Sequence, residues 1–253
     1  MSAVQPQVLV LTKYAHNGAS SRYRFFQYLP WLEQAGLKCT VMPLFDENYL
    51  VHRYVDGRIS AKQVLWAFFR RMAALGTVCR FDLIVIEKEV LPYFPSFPER
   101  WLAWTGVPYV VDYDDALFHQ YDQHRLGWVR LLLAGKIAQV MRGAHLVTVG
   151  NSYLADYARR AGARQIELIP TVIDLDRYPV GQPLPKVDSR FAIGWIGTPL
   201  TAKYIKIIAS ALAELCAAGD TCVRLIGSGP IDLPGVSVEH VPWHESTEVG
   251  AMR

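Results

Sequence analysis

Three carboxylates stand within four residues in Val110-Val-Asp-Tyr-Asp-Asp-Ala-Leu-Phe-His119. Asp112, Asp114 and Asp115 repel one another, so the cluster is costly unless a cation, a sugar hydroxyl or a proton transfer uses it. Three chemistries fit: a general base, carboxylates that bind hydroxyl groups, or a divalent-metal site. A solvated acidic loop is the plain alternative. If the preceding strand continues, Asp112 and Asp114 share one side and Asp115 faces the other. His119 reads as a bystander rather than a catalyst.

A second kind of chemistry is suggested by small residues at strand ends. In Lys13-Tyr-Ala-His-Asn-Gly-Ala-Ser-Ser-Arg-Tyr-Arg24, the residues Gly18, Ala19, Ser20 and Ser21 let backbone N–H groups approach a phosphate. Arg22 or Arg24 would add positive potential there. An ordinary loop with a serine cap is the other reading. Gly197, Thr198 and Lys203 repeat the strand–glycine–helix pattern in Trp195–Lys203, and Gly227 and Gly229 form a further glycine turn. Together these turns describe a cleft between two domains that holds a diphosphate. The dinucleotide fingerprint GxGxxG is absent after the first strand, which argues against a dehydrogenase. Glu87-Lys88-Glu89 reads as solvated charge, with Lys88 lining the same cleft as the alternative. Asn151 or Ser152 can cap the helix that follows.

The elements needed to position these residues are legible as alternating apolar bursts and helical patterns. Strands are predicted at Val8–Thr12, Cys39–Leu44, Leu83–Ile86, Tyr109–Val111, Leu146–Val149 and Glu167–Ile169. Helices are predicted at Arg22–Ala35, Ser60–Leu75, Leu126–Met141 and Ser152–Ala161. In Ser60–Leu75 the residues Val64, Leu65, Phe68, Phe69 and Met72 fall at helical spacing. After Tyr178–Lys186, with three prolines and a glycine, the alternation restarts: strand Phe191–Ile196, helix Thr201–Ala218, strands Cys222–Ile226 and Val236–His240, then a helix near Glu245. Short continuous strands alternating with helices imply parallel sheets covered on both faces. The expected fold class is α/β with two Rossmann-like parallel-sheet domains, the second incomplete. The domains are read as 1–178, a linker at 179–190, and 191–253.

Bulk properties narrow the classes. The chain has 253 residues, 51% hydrophobic and 19% charged, with a net charge of +3. A core is affordable, and the totals carry no nucleic-acid footprint. Cys39, Cys79, Cys216 and Cys222 show no metal or redox spacing and read as buried free thiols in a reducing cytoplasm. No signal peptide or membrane span is legible.

The ordered pieces also resemble a family. The loop Gly18–Arg24, VVDYDDALFH (110–119), VTVGNSYLADYA (147–158), IPTVIDLDRY (169–178), IGWIGTPLTAKY (193–204) and LIGSGP (225–230) resemble, in order, retaining GT-B glycosyltransferases of the group 1 family (family four). The resemblance implies a UDP- or GDP-sugar held mainly by the second domain and a glycan or lipid-linked acceptor held by the first. It also implies transfer with retention in cell-envelope or surface polysaccharide synthesis. Lys203, six residues after Gly197, takes the place of a lysine that contacts the donor diphosphate. Thr198 stands where the family usually has a basic residue. Pro170-Thr-Val-Ile-Asp174 matches a Pro-Asn-Gly-Val-Asp motif at Asp174 but lacks its Asn-Gly turn. Asp112, Asp114 and Asp115 occupy the neighbourhood of a family histidine. The implied chemistry needs no metal or cofactor, although the acidic cluster leaves a metal open. The family's glutamate-containing donor motif lies beyond Arg253, so weak activity or none is expected of this chain.

Two other readings remain: another Rossmann-type nucleotide-sugar enzyme, such as an epimerase or dehydrogenase, and a non-catalytic nucleotide-binding fragment. Localisation is expected to be cytoplasmic. Helix Ser60–Leu75 and its flanks carry Arg53, Arg58, Lys62, Arg70, Arg71 and Arg80 beside Trp66, Phe68 and Phe69. Helix Leu126–Met141 adds Arg130, Lys136, Arg142 and Trp128. Peripheral contact with the inner membrane face is one reading of this pattern, and packing of the aromatics into the core is the other.

Overall fold

The computed structural model describes residues 5–55, 59–178 and 190–252. Among the described residues, nine strands form where the apolar bursts place them: β1 (Gln7–Leu11), β2 (Lys38–Val41), β3 (Leu83–Glu87), β4 (Tyr109–Tyr113), β5 (Leu146–Val149), β6 (Ile166–Leu168), β7 (Phe191–Ile196), β8 (Thr221–Ile226) and β9 (Val238–Val241). Every pairing is parallel. One sheet has the order β2-β1-β3-β4-β5-β6, and the other has the order β7-β8-β9.

The chain divides into two compact units, the larger extending to Val172 and the smaller beginning at Ile173. Of the linker predicted at 179–190, all but Arg190 lies outside the described residues. Residues 173–178 pack with the second unit: Arg177 pairs with Glu245 at 3.1 Å, and the Tyr178 hydroxyl donates to Glu248 at 2.5 Å.

In the larger unit the β-branched and leucine runs of the central strands are buried, with Leu9, Ile84, Ile86, Val111, Val147 and Val149 closed to solvent. The second unit has a smaller core around Leu212, Val223 and Leu225, joined by Ala202, Ile205 and Leu233.

Several predicted helices are broken. The segment predicted as one helix over 22–35 forms Ala19–Arg24, a 3-10 turn and Leu29–Gln34. Pro30 lacks an N–H and is accepted only in a first turn, so a new helix starts there. Gly135 separates Gly127–Leu133 from Lys136–Gly143. The helix predicted at 201–218 becomes Pro199–Ala202, a 3-10 stretch Lys203–Ile208 and Ala209–Ala218. Helices Glu47–Val55, Phe97–Trp104 and His119–Asp122 were not read from the sequence.

The apolar stripe of helix Ala61–Leu75 is also turned from its expected side. Ala67, Arg71 and Leu75 face inward, while Leu65, Trp66, Phe69 and Met72 are exposed. Two of the basic residues read as surface charge, Arg71 and Lys136, are buried. All four cysteines are free thiols; Cys222 is buried, whereas Cys79 is exposed, contrary to expectation.

Candidate functional site

The strongest concentration of charge lies at the carboxyl ends of β1, β3 and β4, where parallel sheets bind ligands. Its centre is Lys88, whose ammonium lies 2.9 Å from Asp114 Oδ1 and 2.7 Å from Asp115 Oδ2. The Ser20 hydroxyl donates to the other Asp114 oxygen. The acidic cluster therefore contains its own cation. Asp115 does not face away from Asp114, as continued strand geometry would require; β4 ends at Tyr113, and the chain turns so that both carboxylates meet one lysine.

Lys88 occupies a demanding position. It follows the last residue of β3, its φ is +66°, and its backbone N–H donates to Asp112 O. A non-glycine residue in this left-handed region carries strain of roughly 1–2 kcal/mol, which the surrounding contacts must hold. The expected solvated triplet Glu87-Lys88-Glu89 is in fact buried throughout. Glu87 sits in β3 opposite Asp112 in β4, so two carboxylates share neighbouring strand positions. Each has its own partners, although Glu87 Oε1 is buried without one. Glu87 accepts from Ser21 Oγ at 2.6 Å and from Lys13 N at 2.7 Å. Asp112 is gripped by the Arg24 guanidinium through both oxygens and accepts from the Thr148 hydroxyl. Asp112 is thus a partner for Arg24 rather than a group presented beside Asp114, a correction to its predicted placement. Arg24 is equally engaged, since it also donates to Ile169 O at 2.5 Å.

The electrostatics follow from these contacts. Burial pushes the Asp114 carboxyl upward, but Lys88 and Ser20 outweigh it and hold the group below its ordinary range. Lys88 is disfavoured by burial, yet Asp114 and Asp115 raise it above the usual lysine range. Burial lifts Glu87 against its hydrogen bonds from Ser21 and Lys13. Lys13 is lowered, first by burial and then by Lys88. Lys13 was missed as a site residue in the sequence; its only signal is its position immediately after the first apolar run.

The remaining candidates fall in different places. Gly18 is a buried helix cap whose position a Cβ would share with Tyr14 Cβ at 2.4 Å, so its smallness serves packing. Ala19 begins the six-residue helix and is exposed. Arg22 is buried with its guanidinium against the Tyr23 ring. His119 bonds Asp122 at 3.0 Å and the Tyr153 hydroxyl at 2.7 Å. Asn151 caps helix Ser152–Ala161 by accepting from Leu154 N at 3.0 Å. Asp174 lies in the second unit, where its carboxylate accepts from Asp176 N. Among the described residues, no group of three or more His, Cys, Asp or Glu side chains is placed to hold a metal ion.

Within the second unit the two glycine turns meet. A Cβ on Gly227 would stand 2.5 Å from Gly197 O, and one on Gly197 would strike the Trp195 ring. Gly227 and Gly229 both have positive φ, at +74° and +62°. Thr198 and Thr201 form a reciprocal capping box around Pro199. Lys203 is exposed in the 3-10 stretch, its ammonium 5.1 Å from the Tyr204 ring centre. Because the long helix is broken, only a four-residue helix begins at the Gly197 turn.

These two parallel-sheet units, the second smaller, are the architecture of GT-B proteins, and comparison with solved structures agrees. An α-glucosyltransferase solved with UDP and a 13-mer DNA containing a HMU base matches with a TM-score of 0.57 and 12% identity, over 98% of this chain and 70% of that one. A UDP-forming α,α-trehalose-phosphate synthase from Burkholderia xenovorans matches with a TM-score of 0.56 and 10% identity, over 97% and 75%. The glycotransferase of kitacinnamycin matches with a TM-score of 0.54 and 14% identity, over 97% and 73%. At these identities the likeness is one of fold. No protein-family model and no curated protein sequence matches the chain.

Proposed function

We propose that this protein is a glycosyltransferase that moves a sugar from a UDP- or GDP-sugar to a glycan or lipid-linked acceptor, with retention, in cell-envelope or surface polysaccharide synthesis. The observation that carries the reading is the meeting of the Gly197 and Gly227 turns at the carboxyl ends of adjacent parallel strands. Strand-end turns of a parallel sheet are where such folds bind ligands, and Lys203 supplies a cation six residues after Gly197. The smaller unit forms the donor side and the larger unit the acceptor side. The family resemblance and the shared fold support the same assignment.

The first unit's cluster bears on the chemistry of Asp114, with Asp115 beside it on the same lysine. Asp114, which Lys88 holds ionised, is a weak base, so it suits accepting hydrogen bonds from sugar hydroxyls better than abstracting a proton. In this reading the leaving nucleoside diphosphate is stabilised by positive groups of the protein, while the sugar passes through an oxocarbenium-like state. No metal or cofactor takes part in the step.

Thermal-shift titration against UDP, GDP and their sugars tests the reading. A nucleotide-dependent rise in melting temperature that Lys203→Ala diminishes supports it. Absence of any shift with every nucleotide overturns it, and a shift with NAD alone assigns the chain to the dehydrogenase or epimerase class instead.

A further inference from the structure

Among the described residues, Lys88 and Tyr93 are the non-glycine residues with positive φ, at +66° and +56°. A bulky side chain rarely adopts this left-handed conformation. Both stand in the connection from β3 to helix Phe97–Trp104, at the carboxyl end of the larger sheet. Strain of this kind persists only where the surroundings over-determine it.

The surroundings are a buried charged network that the acidic cluster does not use. Glu89 and Lys136 form an ion pair whose side chains are both closed to solvent. The Tyr121 hydroxyl lies 2.8 and 2.7 Å from the two Glu89 oxygens, and it accepts from Tyr93 N at 3.1 Å. Lys136 also donates to Leu91 O at 2.6 Å, and Glu99 accepts from Val90 N at 2.8 Å. The loop backbone at Val90, Leu91 and Tyr93 thus hangs on side chains from helices Phe97–Trp104, His119–Asp122 and Lys136–Gly143. A buried ion pair stabilises a fold little better than apolar residues of similar volume, so holding one conformation accounts for it better.

That conformation presents two groups to solvent. The Tyr93 ring is 52% exposed and stands edge-on to Tyr121 at 5.6 Å and to His124 at 5.9 Å. Its hydroxyl makes no hydrogen bond among the described residues. At the start of the same loop Lys88 holds Asp115 by one oxygen; the Asp115 side chain is 60% exposed, and its Oδ1 has no partner among the described residues. An aromatic ring for the apolar C–H face and a carboxylate for the hydroxyls are complementary to a sugar ring. We propose that Tyr93 is a saccharide-stacking residue of the acceptor side, that Asp115 accepts from hydroxyls of the same sugar, and that Glu89, Lys136 and Tyr121 are the positioning residues that fix the loop. The identity of the ligand as a saccharide rests on the transferase reading; the presentation of the ring does not.

Saturation-transfer NMR tests this on the full chain without nucleotide, with the methyl glycosides of glucose, galactose, mannose and N-acetylglucosamine as probes. At least one glycoside should receive saturation, most strongly at its ring C–H protons. Tyr93→Phe should retain the signal. Tyr93→Asn should lose it without lowering the denaturation midpoint, because asparagine tolerates the left-handed backbone. Asp115→Asn should weaken the signal of the same glycoside. Tyr121→Phe removes only the hydroxyl that holds Tyr93 N, and it should weaken the signal with the circular dichroism spectrum unchanged, an effect that a hydroxyl serving packing alone would not have. No saturation of any glycoside by the folded wild-type chain overturns the proposal, as does equal saturation by wild type and Tyr93→Asn. An undiminished signal in Tyr121→Phe overturns the positioning role. A nucleotide-dependent thermal shift beside a negative glycoside result would leave the transferase reading standing. Glycoside binding through Tyr93 with no nucleotide shift would support the saccharide site and overturn that reading alone.

Discussion

At the scale of single residues, Lys88 decides how the acidic cluster behaves. It is buried, strained in φ, and the cation for both Asp114 and Asp115. Lys88→Met keeps most of the volume but leaves Asp114 largely buried without its cation. Removing one partner of a buried pair costs about 3–5 kcal/mol, and the exposure of Asp115 moves the expected loss below that range, to about 2–3 kcal/mol. Urea denaturation at neutral pH measures it, and a loss below about 1 kcal/mol would make the pair a surface-type bridge. Acid pH should also act through Asp114. Its folded pKa is depressed, so the stability it contributes is present above its ordinary value of 3.8 and is lost as pH falls through the folded value. Glu87 has the opposite sign. Its folded pKa is raised, so its contribution is full below the ordinary 4.5 and is lost as pH rises through the folded value. Relative to Glu87→Gln, the wild-type chain should therefore be more stable at pH 4 than at pH 8. Denaturation midpoints across that range check the slope, and parallel curves for the two proteins would refute it.

At the scale of elements, the strands were legible in the sequence and the helices only partly so. Runs such as Leu83–Ile86 are apolar on both faces and admit little but a buried parallel strand. Helix Phe97–Trp104 was not read from the sequence; it carries Pro98 in its first turn, where a proline is favourable. Glu87, Lys88 and Glu89 read as solvated because nothing local shows that β3 continues to Glu87 and sets it opposite Asp112. Burial of that triplet is a tertiary fact, supplied by Ser21, Asp114 and Asp115 and by Lys136, which pairs with Glu89. The acidic cluster itself was visible in the sequence; its internal cation was not assigned. The glycine turns were legible as a pattern, and their contact yields a prediction. Gly227→Ala places a Cβ 2.5 Å from Gly197 O and 2.9 Å from Trp243 Cβ, at a φ of +74°. Left-handed strain alone costs about 1–2 kcal/mol, and the contact with backbone adds to it. The variant should lose more than about 2 kcal/mol in chemical denaturation and its nucleotide-dependent thermal shift with it. Gly36→Ala, where φ is +87° with nothing within 4 Å, should lose only the strain.

At the scale of the whole molecule, the two units differ in how well each is closed. The six-stranded sheet has four internal strands with residues closed to solvent. In the three-stranded sheet only β8 is internal, and β7 leaves Phe191 71% exposed and Ile196 40% exposed. Apolar burial contributes roughly 25 cal/mol per Å², so a unit with fewer closed side chains opens at lower free energy. Hydrogen exchange should follow that order. Amides of β3 and β4 are expected to be the slowest in the chain, while those of β8 should exchange at least about tenfold faster, the equivalent of a difference of about 1.4 kcal/mol in opening free energy. Amides of β7 and β9 should be faster still, because each has a strand on one side only. Nucleotide binding at the Gly197 and Gly227 turns would favour the closed form of the second unit alone, so saturating UDP or GDP should slow β7 and β8 and leave β3 and β4 unchanged. Equal slowing in both sheets would show that the ligand stabilises the chain as a single cooperative unit rather than through the turns of the second.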